Sequence, residues 1–137
     1  MAFNLSLKEN QLAVLAEEGV EFELRHPDTD EPLGAFVEVR GQRSTIVEKY
    51  IRKQINEQIR LENGNKARKD KAKTIEESIE DLNEAVFVRV KSWRGIEEDG
   101  QELECTKENI LEVFKNHSWI RDQILEVSND AERFLPK

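Results

Sequence analysis

The sequence has little that would support a covalent cross-link or a membrane anchor. Among its 137 residues there is one cysteine, Cys105, so no disulfide can form within the chain, which is typical of a reducing cytoplasm. No apolar run approaches the length that spans a bilayer, and the N-terminal stretch MAFNLSLKEN lacks the layout of a signal peptide. We therefore expect a soluble intracellular protein without a membrane partner.

Recognisable catalytic and metal-binding motifs are also missing. The two histidines, His26 and His117, are expected in a hairpin turn and at a junction between helices, and neither belongs to a motif with a nucleophile. The chain has no phosphate-binding loop, no dinucleotide fingerprint and no zinc-ligand spacing. If Gly100 were the sixth residue of a calcium loop, the twelfth would be Thr106 instead of an acid. We expect no enzyme activity, no metal and no cofactor.

What the sequence does have is charge, unevenly distributed. Charged residues make up 36% of the chain, hydrophobic residues 37%, and the net charge is −8, which predicts a modest core and argues against nucleic acid as a partner. Residues 1–42, 43–73, 74–92 and 93–137 have net charges of −6, +6, −3 and −5. A basic middle between acidic ends predicts self-association at low salt.

Residues 1–42 are predicted to form an N-terminal β-hairpin region. The stretches GVEFELRH and GAFVEVRG alternate apolar and polar residues, which is typical of strands with one buried face and one solvent-exposed face. PDTDEPLG between them is rich in turn-forming residues. Because an isolated hairpin is only marginally stable, it is expected to pack on the rest of the chain.

Residues 43–137 are predicted to form a helical region of about four helices. Ser44, Thr74, Thr106 and Ser118 are the expected caps, and apolar residues recur behind each at spacings of three and four. The helix from Thr74 is expected to reach about Lys91. Residues 63–73, NGNKARKDKAK, predict a basic linker or a frayed helix end. The predicted fold class is therefore α+β, predominantly α: a hairpin packed on a small helical bundle, as one domain overall.

Partner-binding residues can be suggested from residue type. Trp93 and Trp119 are candidates because tryptophan dominates contact energies at interfaces, although both flank apolar helices and a core position is the favoured interpretation. We expect Trp119→Ala to lower thermal stability and Trp93→Ala to impair partner binding. The basic run could contact an acidic partner or nucleic acid, but it has no aromatic residue to stack on bases, and a solvated linker is favoured. The remaining candidates are Phe114, Phe134, Lys66, Arg68, Lys69, Lys71 and Lys73.

Two long segments resemble the tail assembly chaperones of long-tailed bacteriophages. They are EEGVEFELRHPDTDEPLGAFVEVRGQRS and VKSWRGIEEDGQELECTKENILEVFKNHSWIRDQILEVSNDAERFL, and the resemblance covers most of residues 17–135. In the N-terminal part, it consists of a hairpin around a P-D-T-x-E-P-L turn. In the C-terminal part, it consists of a Trp-containing connection, an acidic glycine turn, a T-x-E-N helix start, a W-I-R-x-Q-I helix and a terminal F-L.

The resemblance implies a protein of the host bacterial cytoplasm. It would bind the tape-measure protein, help to recruit subunits of the major tail (tube) protein and be absent from the mature virion. If the apolar stripes of the helices extend beyond what the core of this chain buries, their exposed parts could bind a helix of the tape-measure protein, the client of such a chaperone. A minor structural or connector protein of the phage particle is the competing hypothesis, and a nucleic-acid-binding regulator using residues 66–73 is a third. The resemblance also suggests a longer product made by ribosomal slippage near Pro136, although a short polar tail is the favoured interpretation of that ending.

Overall fold

The structure, a computed structural model, describes residues 2–64 and 74–136. Over these residues it is an α+β fold with five α-helices, a three-stranded antiparallel sheet and a two-stranded ribbon, which confirms the predicted α+β class. The predicted count of about four helices and the separate N-terminal hairpin do not match this structure. Single 3₁₀ turns at Lys8–Asn10 and Ala131–Phe134 flank the fold. In chain order the elements are α1 (Leu12–Glu18), β1 (Val20–Arg25), β2 (Pro32–Val39), α2 (Thr45–Gly64), α3 (Ile75–Phe87), β3 (Val90–Arg94), β4 (Glu97–Glu98), β5 (Gln101–Glu102), α4 (Lys107–Asn116) and α5 (Ser118–Asn129).

The two predicted strands pair as expected. β1 and β2 run antiparallel, with Val20 opposite Val39 and Phe22 opposite Val37. The alternation of apolar residues places Val37, Val39 and Leu24 in the core. The pairing of these strands is therefore confirmed, but the hairpin is one part of a larger sheet.

The predicted end of the helix that begins after Thr74 is wrong. α3 ends at Phe87, and the next residues form β3, which pairs antiparallel with β2. Gly95 has a φ of +78° and follows this strand. Because β3 comes from the predicted helical region and β2 from the predicted hairpin region, the two regions share one sheet.

A β-bulge explains why β3 has the sequence pattern of a helix. Ser92 lies opposite Glu38 and Val90 opposite Val39, so Lys91 is an extra residue in β3. The bulge lets Val90 and Trp93, three residues apart, both lie in the core. This spacing continues the stripe of α3 and is the same as one turn of a helix.

Two of the predicted helix caps are found in the structure. Thr74 Oγ1 accepts from the amide of Glu77 at 3.1 Å, and Thr106 Oγ1 accepts from the amide of Asn109 at 3.2 Å, so both caps are confirmed. Ser118 is the first residue of α5 instead of its cap. α5 lies against β1 and β2, and α4 lies against α3 and α5. The core that these elements enclose includes Leu24, Val37, Val39, Val86, Ile110, Phe114, Ile120, Ile124 and Val127.

α1 was not predicted, and the N-terminal region therefore contains more than a hairpin. Its sequence, LAVLAEE, consists mainly of strong helix formers. Gly19 follows it at a φ of +80°, and a Cβ at that position would lie 2.7 Å from the carbonyl oxygen of Val39. Leu15 and Ala16 are buried, so α1 packs on the body of the fold.

Within residues 2–64 and 74–136, none of the helices combines the length and the apolar character needed to cross a bilayer.

Candidate functional site

Most of the aromatic residues suggested as partner contacts lie in the core. Trp93 is 8% exposed, and its indole Nε1 donates to the carbonyl oxygen of Leu103 at 2.8 Å. Phe114 is also buried, and Trp119 is half-buried. Burial leaves little of Trp93 or Phe114 for a partner to contact. The suggested basic residues, Lys66, Arg68, Lys69, Lys71 and Lys73, lie outside the described residues.

Part of the exposed apolar surface lies on α2 and α3, where each helix leaves the core. In α3, Val86 is fully buried, whereas Leu82, Ile79 and Ile75 are 36%, 45% and 77% exposed. In sequence these four residues form one stripe at spacings of four, three and four, so a single helix face passes from core to solvent. The N-terminal half of this stripe is therefore exposed to solvent.

In α2, too, the exposure of the apolar side chains increases along the helix. Val47 in its first turn is fully buried and Ile51 is half-buried, whereas Ile55 and Ile59 are 54% and 48% exposed. The last three recur every four residues and form a stripe along a helix that is about 30 Å long at 1.5 Å per residue. Exposed apolar residues that continue a core stripe are typical of a helix face that binds a partner.

One flank of this stripe forms a groove with α1 and the C-terminal 3₁₀ turn, which we call the α1–α2 groove. It encloses about 530 Å³, within the range of ligand-binding clefts. Phe134, suggested as a partner contact from the sequence, is buried in its floor. The polar side chains at the groove include Arg43, Arg52 and Glu48. The apolar residues that line it are Leu12, Leu15, Ala16, Ile51, Ile55, Ala131, Phe134 and Leu135.

The other flank of α2 faces α3 across a second cleft, the α2–α3 groove, of about 500 Å³. Ile59 and Leu82 line it from opposite helices, and both are solvent-exposed. Ile51 and Ile55 line both grooves. The stripe of α2 therefore lies between two clefts, each lined by apolar side chains.

A polar network holds α1 in place beside the α1–α2 groove. Arg40 Nε donates to Glu17 Oε1 at 3.0 Å, and the Ser44 hydroxyl donates to Glu17 Oε2. Partial burial raises the pKa of Glu17, but the hydrogen bonds from Ser44 and Arg40 outweigh it, so that this pKa lies below its ordinary value of 4.5. The bulged Lys91 donates from Nζ to the carbonyl oxygens of Glu17 and Glu18, each at 3.1 Å, and so satisfies the C-terminal end of α1.

A second part of the network links the end of α5 to the same place. The buried Arg89 donates from Nη1 to Ser128 Oγ at 3.1 Å and to Asn129 Oδ1 at 2.9 Å, and burial lowers its pKa. Ser128 Oγ in turn donates to the carbonyl oxygen of Arg40 at 2.7 Å. The groove walls are thus connected through hydrogen bonds to both the sheet and α5.

The acidic stretch after Trp93 forms a tight hairpin. Glu98 lies opposite Gln101, and the two residues between them, Asp99 and Gly100, have φ values of +52° and +81°. Asp-Gly with both φ values positive is typical of a type I′ hairpin turn. The predicted turn is confirmed, and the short strands on each side of it were not predicted.

Within the described residues, no group of three or more His, Cys, Asp or Glu side chains is arranged to hold a metal ion.

The titratable residues weighed for catalysis have structural surroundings. His26 Nδ1 accepts from the amides of Asp28 and Thr29 at 3.1 and 3.2 Å, inside the β1–β2 turn. His117 is exposed between α4 and α5, as expected. Burial raises the pKa of the Cys105 thiol, which reduces its reactivity as a nucleophile.

Comparison of the chain with protein-family models, with curated proteins and with solved structures found no match.

Proposed function

We propose that this protein is a tail assembly chaperone of a long-tailed bacteriophage, and that it holds an amphipathic helix of the tape-measure protein in the α1–α2 groove. The observation that carries the proposal is the apolar lining of this groove, which remains open to solvent. Leu12, Ile55 and Leu135 are each more than a third exposed there. An amphipathic helix bound in an apolar groove would remove these side chains from water.

The shape of the groove favours a helix as its occupant. One wall is α2, with Ile51 and Ile55 one turn apart, and the opposite walls are α1 and the C-terminal 3₁₀ turn. A helix lying along α2 would insert side chains spaced by three or four residues between those of α2. The tape-measure protein of the resembled family is long, which gives it many segments that could bind in this way.

The charges at the groove favour a client helix with acidic flanks. Arg43 and Arg52 outnumber the acidic Glu48 among the charged residues that line it. Elsewhere the chain is acidic, with a net charge of −8, which would keep a complex with an aggregation-prone helix in solution. The proposed activity is therefore binding, in the host cytoplasm, followed by recruitment of tail-tube subunits and release before the virion is complete.

Co-expression with the tape-measure protein of the same phage tests this proposal. The wild-type protein should retain the tape-measure protein in an affinity pull-down. Leu12→Asp should reduce the retained amount at least about tenfold, because a charge in an apolar contact of this kind costs more than the contact contributes. Leu33→Asp, at an exposed leucine of β2 outside the groove, is the matched control and should bind like the wild type. Equal retention by the Leu12 variant and the wild type would contradict the proposal.

Mass spectrometry of purified virions separates the chaperone from a minor structural or connector protein. A chaperone that leaves during assembly should be absent from finished particles but present in lysates. Stoichiometric recovery from the particle would favour the structural alternative.

A further inference from the structure

We infer that the free edge of β1 binds an extended protein segment in which basic residues alternate with apolar ones, so that the segment becomes a fourth strand of the sheet. β1 is an outer strand, because the strand order is β1–β2–β3, and among the described residues no strand pairs with its other edge. An unpaired edge presents N–H and C=O groups with which another chain can pair. The inference does not depend on the α1–α2 groove or on its client.

Four of the six residues of β1 line a cleft between this edge and α5, which we call the β1–α5 cleft and which encloses about 670 Å³. Gln123 of α5 already pairs with the edge at one end of the cleft. Its Oε1 accepts from the amide of Arg25 at 3.0 Å, and its Nε2 donates to the carbonyl oxygen of Arg25 at 2.6 Å. Because the backbone groups of residues two apart are directed to the same edge, those of Glu23 and Glu21 are directed towards the cleft as well.

Of the two outer strands, β1 is the one open to pairing. β3 contains the bulged Lys91, and a bulge and a lysine on an edge both hinder the addition of a strand. β1 pairs with β2 in regular register from Val20 to Glu23. A second copy of β1 does not fit this edge. Pairing residues 20–23 with themselves places the glutamates opposite glutamates or opposite apolar residues, and both arrangements are unfavourable.

The charges that line the β1–α5 cleft select a basic segment. Two arginines and five acids line it, the acids being Glu21, Glu23, Asp30, Asp122 and Glu126. Both arginines are engaged within the chain, because Arg25 Nη1 donates to the carbonyl oxygen of Asp30 at 3.1 Å and Arg133 Nε donates to Asp130 Oδ2 at 3.2 Å. Opposite charges that face each other across two strands are stabilising, so we expect one basic residue opposite Glu21 and another opposite Glu23.

The other face of the added strand is expected to be apolar. Phe22 lies between the two glutamates and is directed to the opposite face of the sheet. Phe22 and Trp119 are half-buried, pack against the core and line the cleft together with the buried Val127. An apolar residue between the two basic ones would contact these side chains, and the expected pattern is therefore basic, apolar, basic.

Calorimetric titration of the full chain with a synthetic peptide of alternating lysine and valine, acetylated and amidated at its ends, tests the inference. The peptide should bind with a Kd of about 10–100 μM at low salt, the range of weak but specific pairing. A peptide of the same composition with its lysines grouped together should bind at least about tenfold more weakly, because its charged and apolar side chains no longer lie on separate faces.

N-methylated peptides distinguish the addition of a strand from attraction between charges alone. One peptide is methylated on its lysine amides and the other on its valine amides, and both keep the full charge. Only one of the two sets of amides faces β1. One peptide should therefore bind about as tightly as the unmodified peptide, and the other at least about tenfold more weakly. Equal affinity of the two methylated peptides would overturn the inference.

Glu21→Gln/Glu23→Gln should weaken binding of the unmodified peptide about three- to tenfold, because two cross-strand charge pairs are lost. The matched control is Glu97→Gln/Glu98→Gln, which removes the same charge from exposed residues of β4 outside the cleft and should bind like the wild type. Circular dichroism should show the same secondary structure in all three proteins. No binding below about 1 mM, or equal affinity of the Glu21/Glu23 variant and the wild type, would overturn the inference. A wild-type dimer that the peptide dissociates would also overturn it, because a second copy would then occupy the edge.

Discussion

Trp93 is a core residue. It was suggested as a partner contact from its residue type alone, because tryptophan dominates contact energies at interfaces. In the structure it lies opposite Val37 of β2 and donates its indole hydrogen to Leu103. The earlier expectation that Trp93→Ala would leave a folded protein is therefore replaced by an expectation of lost stability.

We predict that Trp93→Ala lowers the free energy of unfolding by about 3–5 kcal/mol, because it leaves a cavity and an unpaired carbonyl at Leu103. Trp119→Ala, at a half-buried position beside the same core, should cost less. Urea unfolding followed by circular dichroism would measure both. A larger loss for Trp119→Ala than for Trp93→Ala would show that the burial of the two side chains is misassigned.

Gly95 and Gly100 form a matched pair of glycines. Both have positive φ values, +78° and +81°, but a Cβ on Gly95 would lie 2.4 Å from the carbonyl oxygen of Gly34, whereas Gly100 has nothing within 4 Å. We predict that Gly100→Ala costs about 1 kcal/mol for the left-handed backbone and that Gly95→Ala costs at least about twice as much. Thermal melts of the two variants would compare them, and equal losses would argue against close contact between the two loops.

At the scale of elements, α1 depends on other parts of the chain for its position. It is seven residues long, which is too short for an independent helix in water. Its C-terminal carbonyls are satisfied by the bulged Lys91, and its Glu17 is held by Arg40 and Ser44. The same helix forms one wall of the α1–α2 groove, so the bulge in β3 supports the proposed client site.

We predict that Lys91→Met raises the amide hydrogen exchange of α1 while the exchange of α5 stays unchanged. The physical reason is that the two last-turn carbonyls lose their donor, so α1 opens locally without global unfolding. Lys49→Met, at an exposed lysine of α2, is the control and should leave the exchange of α1 as in the wild type. Unchanged exchange of α1 in the Lys91 variant would contradict this account of how the groove wall is held.

The elements also show what the sequence could and could not predict. Period-two alternation identified β1 and β2, and Thr74 and Thr106 identified helix starts, because these are local signals. β3 was missed because its bulge gives Val90 and Trp93 the spacing of a helix. α1 was missed although its Ala- and Leu-rich sequence ends at a glycine, which is a usable signal.

The sequence indicates apolar stripes on the helices but does not show which parts of them are exposed. An apolar stripe on α2 was visible in the spacing of Ile51, Ile55 and Ile59, but periodicity does not tell which part of a stripe the chain itself buries. That depends on where α2 leaves the body of the fold, which is a tertiary property. Of the aromatic residues suggested, Phe134 alone lines the α1–α2 groove.

For the whole molecule, α2 is the element on which the proposed client site depends. Its stripe has the α1–α2 groove on one flank and the α2–α3 groove on the other, with Ile51 and Ile55 shared by both.

Hydrogen exchange of the protein with and without the tape-measure protein of the same phage is the most direct test of the central claim. The account predicts that binding slows exchange in α1 and in the first half of α2, which border the α1–α2 groove, and leaves β1 and β4–β5 unchanged. Slower exchange confined to β1 or to the β4–β5 hairpin, with α1 and α2 unaffected, would contradict it.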